Sequence, residues 1–197
     1  MKKVIIASKN KGKVKEFRTF FAPHEIEVVS LLDLDEEVPD IEETGESFVE
    51  NAALKAEEVS SRFQQPVLAD DSGLIIDGLE GRPGIYSARY AGEPTNDQAN
   101  IDKVLKEMKE IPTEERSARF VCVLAIARPG EETIFVTGYC EGHIKTEQCG
   151  GNGFGYDPIF VPEGYNETMA ELDPAEKNQI SHRKQAMKQL EKRMHLL

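Results

Sequence analysis

Two adjacent carboxylates, Asp70 and Asp71, lie between two short apolar runs, residues 67–69 and 74–76. Such runs are typical of buried strands, so the sequence predicts a strand that delivers the acids to its end. Neighbouring side chains on a strand point to opposite faces, and both acids can enter one pocket only if the chain turns, which Gly73 permits. One acid is therefore expected in a site and the other in a structural role. An ordinary Asp-Ser-Gly turn between two strands is the alternative.

A basic loop follows the first apolar run of the chain and precedes a helical pattern. It consists of Ser8, Lys9, Asn10, Lys11, Gly12 and Lys13. A helix amino terminus presents unpaired N–H groups and the positive end of the helix dipole, so this loop is a candidate phosphate site. Lys13 is the lysine that the helix itself positions best. The loop lacks the Gly-x-x-x-x-Gly-Lys-Ser/Thr pattern of a Walker loop, and a solvated turn is the alternative.

An acidic segment, residues 33–43, ends shortly before the helix that carries Lys55. Carboxylates are ligands that hard cations prefer, but this segment lacks the glycine that an EF-hand loop needs. Most of its acids are expected to face water, while Glu42 or Glu43 is a candidate to join Asp71 around Mg²⁺. Glu50 is better explained as a helix cap.

A glycine-rich segment, residues 150–158, carries Phe154, Gly155, Tyr156 and Asp157. It does not match Gly-x-Gly-x-x-Gly, and it leads into a strand-like run where a dinucleotide fingerprint would lead into a helix. Glycines beside aromatic rings suit a loop whose backbone approaches a flat ligand, with Phe154 or Tyr156 as the stacking face. A glycine-rich bend with its aromatic rings in the core is the alternative.

Polar side chains gather around the start of the last predicted helix. They are Lys177, Ser181, His182 and Arg183. Such residues are common on helix surfaces, so by themselves they favour an exposed face over a site. The sequence shows neither a Gly-x-Ser-x-Gly nucleophile elbow nor a catalytic cysteine signature.

The composition excludes several classes of protein. The chain has 197 residues, with 36 acidic and 24 basic side chains and a formal net charge of -12 at pH 7. This charge opposes nonspecific binding to nucleic acids and anionic membranes, so a phosphate-bearing ligand must be held by local bases or a metal. No apolar run is long enough for a signal peptide or a membrane span, which predicts a cytoplasmic protein. Cys122, Cys140 and Cys149 are odd in number, so we expect no disulfide framework.

The spacing of apolar residues predicts the elements that position the candidate residues. In chain order these are a strand at residues 4–7, a helix up to Pro23, a helix from Ser47 to about Arg62, a helix from Thr95 with Gln98 as its capping partner, a hairpin over residues 118–140, a strand at residues 159–161 and a helix from Ser181. Helices mixed with hairpins predict an α/β fold with a sheet of mixed direction. No linker or repeat divides residues 1–197, so a single domain is expected.

Taken together, the separated motifs closely resemble the inosine/xanthosine triphosphate pyrophosphatase family. They are Ser8-x-Asn10-x-Gly12-Lys13, Glu42-Glu43-Thr44-Gly45, Asn51-Ala52-x-x-Lys55-Ala56, Ala69-Asp70-Asp71-Ser72-Gly73-Leu74, Pro83-Gly84-Ile85-Tyr86-Ser87-Ala88-Arg89, Gly153-Phe154-Gly155-Tyr156-Asp157-Pro158 and Ser181-His182-Arg183. They span essentially the whole chain, and their joint occurrence by chance is far less probable than any single match.

The resemblance implies a Mg²⁺-dependent homodimer that hydrolyses ITP, dITP and XTP to the monophosphate and pyrophosphate. It also implies an elongated mixed β-sheet with flanking helices, and two lobes around a central nucleotide cleft. Phosphate contacts then fall on residues 8–13 and Lys55, and metal ligation on Glu42 and Asp71, with Asp71 also accepting a proton. The implied nucleotide contacts are Ser72, Phe154, Gly155, Tyr156, Asp157, Lys177, His182 and Arg183.

Elementary chemistry agrees with these implied roles. Lysines and Mg²⁺ neutralise a triphosphate, and a nearby cation is expected to keep Asp71 ionised so that it can deprotonate a water. Hypoxanthine and xanthine carry an acceptor oxygen at C6 where adenine has an amino donor, so we expect His182 and Arg183 to read that edge while Phe154 stacks. Two other classes compete: a nucleotide sensor without turnover, and a single-strand nucleic-acid binder, which the net charge disfavours.

Overall fold

The structure is a computed structural model that describes residues 2–36 and 38–196. Its helices are α1 (Lys11–Phe21), α2 (Phe48–Phe63), α3 (Asp97–Glu107), α4 (Pro174–Ile180) and α5 (His182–Glu191). Its strands are β1 (Lys2–Ile6), β2 (Ile26–Ser30), β3 (Val67–Ile76), β4 (Ser117–Ala127), β5 (Ile134–Ile144) and β6 (Phe160–Pro162). Short 3₁₀ segments, among them Gly84–Arg89 and Asp157–Ile159, lie between these elements.

The strands form one sheet in the order β2-β1-β3-β4-β5-β6. β1 pairs in parallel with both β2 and β3, whereas β5 and β6 are antiparallel. β4 and β5 are neighbours joined only by residues 128–133, a connection too short for a parallel crossover, so they form the predicted hairpin. The expected α/β fold with a mixed sheet and flanking helices is therefore confirmed.

Side-chain caps start the first two helices, and the sequence predicts the second of them. The Asn10 carboxamide oxygen accepts a bond from the Lys13 N–H, and the Ser47 hydroxyl accepts one from the Glu50 N–H. These bonds satisfy amide groups that a helix terminus otherwise leaves unpaired. The Glu50 carboxylate accepts from the Glu46 N–H, one residue before the position of the usual reciprocal bond.

The third helix begins later than predicted. α3 is capped by Asn96, whose side chain accepts from the Ala99 N–H, rather than by Thr95. Gln98 makes no capping bond here; its amide donates instead to Asp102 at 2.8 Å. Asn and Thr both cap helices, and Asn is the stronger of the two, which explains the displacement.

β3 runs without interruption through the paired carboxylates, so the prediction that they sit at a strand end is wrong. Asp70 and Asp71 lie in the middle of the ten-residue strand, and Gly73 makes no turn. Strand pairing and burial on both sides of the acids outweigh the local turn tendency of Asp-Ser-Gly. Another difference is α4, which the sequence analysis did not predict because none of its residues is buried and no apolar stripe marks it.

The chain divides into two compact units, each assembled from separate stretches of sequence. The first unit comprises the described residues of Met1–Asp71, Val123–Thr137 and Ala186–Leu197. Its core includes the buried face of α1, formed by Val14, Phe17 and Phe21, at the spacing that predicted the helix.

The second unit comprises Ser72–Cys122 and Gly138–Gln185. Its core is a hydrophobic cluster that includes Leu74, Met108, Phe120, Phe160 and Leu172. Sequence-distant segments meet in this core, so burial of apolar surface holds the unit together rather than any local element.

Two expectations from composition can be compared with the structure. Cys122 and Cys140 are buried, Cys149 is half-buried, and none of the three forms a disulfide within the described residues. In the described ranges, none of the helices is long and apolar enough to cross a bilayer.

Candidate active site

The basic loop lines a cavity of about 220 Å³ within the first unit. Ser8, Lys9 and Lys13 come from the loop, and Glu43, Lys55 and Asp70 are also among the lining residues. The Ser8 hydroxyl accepts from the Asn10 N–H at 3.1 Å, so the loop is folded on itself before α1 begins. The structure therefore brings the predicted phosphate loop and Lys55 to one concave surface.

Asp70 is held by the loop. The Lys13 ammonium lies 2.8 Å from the Asp70 carboxylate, whose side chain is only 2% exposed. A buried carboxylate needs such a partner, because removing its charge from water is costly. Asp70, to which no site role was assigned from the sequence, thus lines the cavity and orients Lys13.

Lys55, one α-helical turn past Asn51 on α2, connects two further acids. Its ammonium lies 2.7 Å from Glu43 and 3.1 Å from an oxygen of Asp71. The other oxygen of Asp71, Oδ2, is buried and has no hydrogen-bond partner among the residues that the structure describes. We call Lys13, Glu43, Lys55, Asp70 and Asp71 the lysine–carboxylate cluster.

The cluster shifts the pKa values of Asp71 and Lys55. Burial raises the pKa of Asp71 to about 6; Lys55 opposes this shift, while the charges of Glu43 and Asp70 add to it. Burial also acts to lower the pKa of Lys55, but the negative charges of Asp71, Asp70 and Glu43 outweigh it and raise that pKa overall. In the metal-free protein desolvation is the larger effect on Asp71, and it opposes the ionised form that a bound cation is expected to favour.

The oxygen donors of the cluster fit a hard cation. The buried Oδ2 of Asp71 has no donor among the described residues, and a bound cation would satisfy it. Among the described residues that line the cavity, Glu43 is present and Glu42, which is exposed, is not. No group of three or more potential metal ligands occurs in the described ranges, but Mg²⁺ at phosphate sites commonly uses one or two carboxylates together with the phosphates.

A second cluster lies within the second unit, on a stretch that we call the aromatic loop, residues 153–157. Phe154 is 60% exposed, whereas Tyr156 is 5% exposed and donates its hydroxyl to the Ser87 carbonyl at 2.6 Å. Both sequence-based alternatives are therefore realised: one ring is available for stacking and the other belongs to the core. Gly153 has φ +79°, and a side chain there would overlap the Asp157 carboxylate.

Asp157 and Lys177 fix the exposed ring. The Asp157 carboxylate accepts from the Phe154 N–H at 3.0 Å and also binds the Lys177 ammonium. That ammonium lies 5.0 Å from the centroid of the Phe154 ring, within the range of a cation–π contact. Three of the predicted nucleotide contacts are thus in direct contact with one another.

The predicted contacts at the start of α5 are less exposed than expected. His182 stacks on Phe120 with the ring centroids 5.0 Å apart, and Arg183 is only 5% exposed. Ser72 is half-buried on β3. The surface interpretation of the His-Arg pair is therefore wrong for Arg183, which the fold uses as a buried polar group.

Two further candidate residues, Asp97 and Ser87, were not predicted from the sequence. Asp97 accepts a hydrogen bond from the Gly155 N–H, and Ser87 binds Tyr156. Ser87 lies in the motif of residues 83–89, which the family resemblance includes but to which no role was assigned. For Asp97 the sequence offered no signal beyond its place in the first turn of a helix.

Comparisons with known proteins extend over the whole chain. The sequence model of the Ham1 family matches residues 4–193. A dITP/XTP pyrophosphatase from Oceanobacillus iheyensis is 70% identical over 197 residues, covering 100% of both chains. A dITP/XTP pyrophosphatase from Halalkalibacterium halodurans is 58% identical over 192 residues, covering 98% of both.

Solved structures give the same result for the fold. The Ham1 protein of Staphylococcus aureus superposes with a TM-score of 0.91 at 43% identity, covering 98% of each chain. A HAM1 protein from Coxiella burnetii superposes with a TM-score of 0.93 at 42% identity, covering 100% of each chain.

Proposed function

Because the chain belongs to the Ham1 family, we propose that it hydrolyses noncanonical purine nucleoside triphosphates, namely ITP, dITP and XTP, to the monophosphate and pyrophosphate. The family match confirms the resemblance predicted from the separated motifs. Relatives named dITP/XTP pyrophosphatase support the substrate class and the reaction.

One observation carries the proposal. A cavity in an acidic protein is lined by Lys9, Lys13 and Lys55, and beside it Lys55 binds the buried carboxylate of Asp71, one oxygen of which has no partner among the described residues. Lysines offset the charge of a triphosphate, while the carboxylate has no evident structural reason to keep one oxygen free. A sensor that only binds nucleotide would not need a carboxylate that takes a proton from water.

We propose that Asp71 and Glu43 hold Mg²⁺, whereas the sequence motifs left Glu42 and Glu43 open and the family resemblance implied Glu42. Glu43 lines the cavity and shares Lys55 with Asp71, whereas Glu42 is exposed to solvent. When bound, Mg²⁺ would offset charge on the phosphates and on the leaving pyrophosphate. Lys55 keeps the two acids close together before the metal arrives.

The residues of the cluster then divide the chemical work. Asp71 takes a proton from a water molecule as the water oxygen bonds to the α-phosphorus. The bond from that phosphorus to the bridging oxygen breaks, and pyrophosphate leaves. In the metal-free protein burial raises the pKa of Asp71 to about 6, and a bound cation would favour the ionised form, which is the form that accepts a proton. Lys13 and Lys55 stabilise negative charge on the phosphates.

We assign recognition of the base to residues of the second unit. The exposed Phe154 ring offers a stacking face, which Asp157 and Lys177 hold in place. Donor groups of His182 and Arg183 would favour the 6-oxo group of hypoxanthine or xanthine over the amino group of adenine. Ser72, Gly155 and Tyr156 remain proposed nucleotide contacts. A homodimer is also proposed, on the family resemblance alone.

A nucleotide panel tests the function. Purified protein is incubated with ITP, dITP, XTP, ATP and GTP, with Mg²⁺ present or chelated, and both products are measured. We expect monophosphate and pyrophosphate in equal amounts from the first three substrates, at least ~100-fold lower kcat/KM for ATP and GTP, and no turnover after chelation. Orthophosphate as the primary product, or binding without turnover, would overturn the proposal.

A further inference from the structure

The peptide group between Phe154 and Gly155 is bound at both ends. Its N–H, which belongs to Gly155, donates to Oδ2 of Asp97 at 2.8 Å. Its carbonyl, which belongs to Phe154, accepts from the Asp157 N–H at 3.3 Å. The orientation of this peptide group sets the backbone angle at Phe154, and therefore the direction in which the exposed ring leaves the chain.

Neighbouring anchors come from the motifs already described. The Phe154 N–H is held by Asp157, and the Tyr156 hydroxyl by the Ser87 carbonyl. Ser87 is itself fixed, because its hydroxyl accepts from the Leu74 N–H at 2.9 Å and donates to the Gly84 carbonyl. Asp97, the first residue of α3, accepts a bond from the N–H of Gly155, which lies between Phe154 and Tyr156.

The backbone of Gly155 needs a hydrogen bond from outside the aromatic loop to hold it in one conformation. Its φ is +59°, a region that glycine enters freely, so its own conformational preferences do not select one backbone geometry. A bond from a carboxylate on a capped helix restricts that freedom. Asp97 is well suited to this task, since Asn96 fixes the first turn of α3 directly beside it.

We propose that Asp97 is a positioning residue for base recognition, which holds the aromatic loop so that Phe154 is ready to stack on the purine. This inference rests on the proposed function. Asp97 acts only through the Gly155 amide, so it prepares the loop before substrate arrives and takes no part in the chemical step. Loss of such preorganisation weakens binding and leaves the bound reaction unchanged.

The test compares Asp97→Ala with Asp97→Asn. Alanine removes the acceptor, and we expect KM for ITP to rise about fivefold with kcat changed less than about twofold, as suits one hydrogen bond. Asparagine keeps an acceptor oxygen at the same reach, so it should restore most of the wild-type KM. Asp102→Ala is the matched control: Asp102 is another exposed acid on α3, accepts a bond only from Gln98 in the described contacts, and should leave KM unchanged.

A direct measurement separates this inference from the proposed function. Amide hydrogen exchange at Gly155, followed by NMR in nucleotide-free protein, should become at least ~threefold faster in Asp97→Ala and stay near wild type in Asp97→Asn. Unchanged exchange, or an unchanged KM with active enzyme, would overturn the positioning role. Wild-type protein that hydrolyses none of ITP, dITP and XTP would instead overturn the function, while the exchange result still reports on the contact.

Discussion

Asp71 and Asp157 are both buried carboxylates beside a lysine, yet the two units use them differently. They are 7% and 6% exposed, respectively. In the aromatic loop, Oδ2 of Asp157 accepts from both the Phe154 N–H and Lys177. In the lysine–carboxylate cluster, Lys55 contacts one oxygen of Asp71, and the other has no partner within the described part of the chain.

This difference separates positioning from chemistry. A carboxylate oxygen that accepts hydrogen bonds from its neighbours orients them, as Asp157 does for the Phe154 ring. A carboxylate whose burial raises its pKa destabilises the folded protein when it is ionised. Such acids are typical of functional sites. The comparison therefore predicts opposite responses to the same substitution.

The largest expected effect is on turnover. Asp71→Asn should lower kcat for ITP at least ~100-fold, because it removes the proposed general base while keeping nearly the same shape. Asp157→Asn, the matched substitution in the other unit, should lower kcat less than about tenfold. Pyrophosphate release measures both, and circular dichroism checks the fold. Near-normal turnover by a folded Asp71→Asn protein would show that Asp71 is not the general base.

A smaller effect is expected from the exposed ring. Phe154→Ala should raise KM for ITP about tenfold with little change in kcat, since stacking of a base on an aromatic ring contributes about 1–3 kcal/mol. The ring is 60% exposed, so its removal should barely affect folding. Steady-state kinetics gives the two constants separately. A fall in kcat at constant KM would move Phe154 from recognition to the chemical step.

The smallest effect is on stability, and its sign differs between the two acids. Burial raises the pKa of Asp71 from 3.8 to about 6, so the stability of the metal-free protein falls as pH rises through this window and stays lower above it. Above pH 6, Asp71→Asn should therefore raise the free energy of unfolding by about 1 kcal/mol. Asp157→Asn should lower it by a similar amount, because Lys177 loses its charged partner.

Urea titrations of the two variants without metal measure these changes. The two shifts should have opposite signs at neutral pH, and the gain from Asp71→Asn should vanish below about pH 4, where the wild-type acid is protonated in both states. Loss of stability in both variants would mean that Asp71 is an ordinary structural acid.

Local signals in the sequence predicted most of the elements. Ser47 caps its helix as expected, because a cap is decided by a few neighbouring residues. The β4–β5 hairpin also follows from local alternation and a short connection. The prediction of a strand end at Asp70 and Asp71 was wrong, because strand pairing outweighs the local turn tendency of residues 70–73.

Individual site contacts were less predictable. Glu42 and Glu43 are adjacent and chemically alike, and only the folded chain shows that Glu43 meets Lys55. Likewise, Phe154 and Tyr156 are equally aromatic, but one ring is exposed and the other buried. The contact of Asp97 with Gly155 joins residues 58 positions apart. Helix and strand periodicity predict only contacts between residues that are close in the sequence.

The sequence by itself determined the cap of α2, the mixed α/β class and the set of motifs that mark the family. Each depends on residue types at short spacing or on their joint presence. Tertiary structure alone decided that Asp70 binds Lys13 and that one oxygen of Asp71 stays without a partner among the described residues. The physical reason is that propensity acts over one helical turn or one strand pair, whereas desolvation and charge pairing depend on segments that only folding brings together.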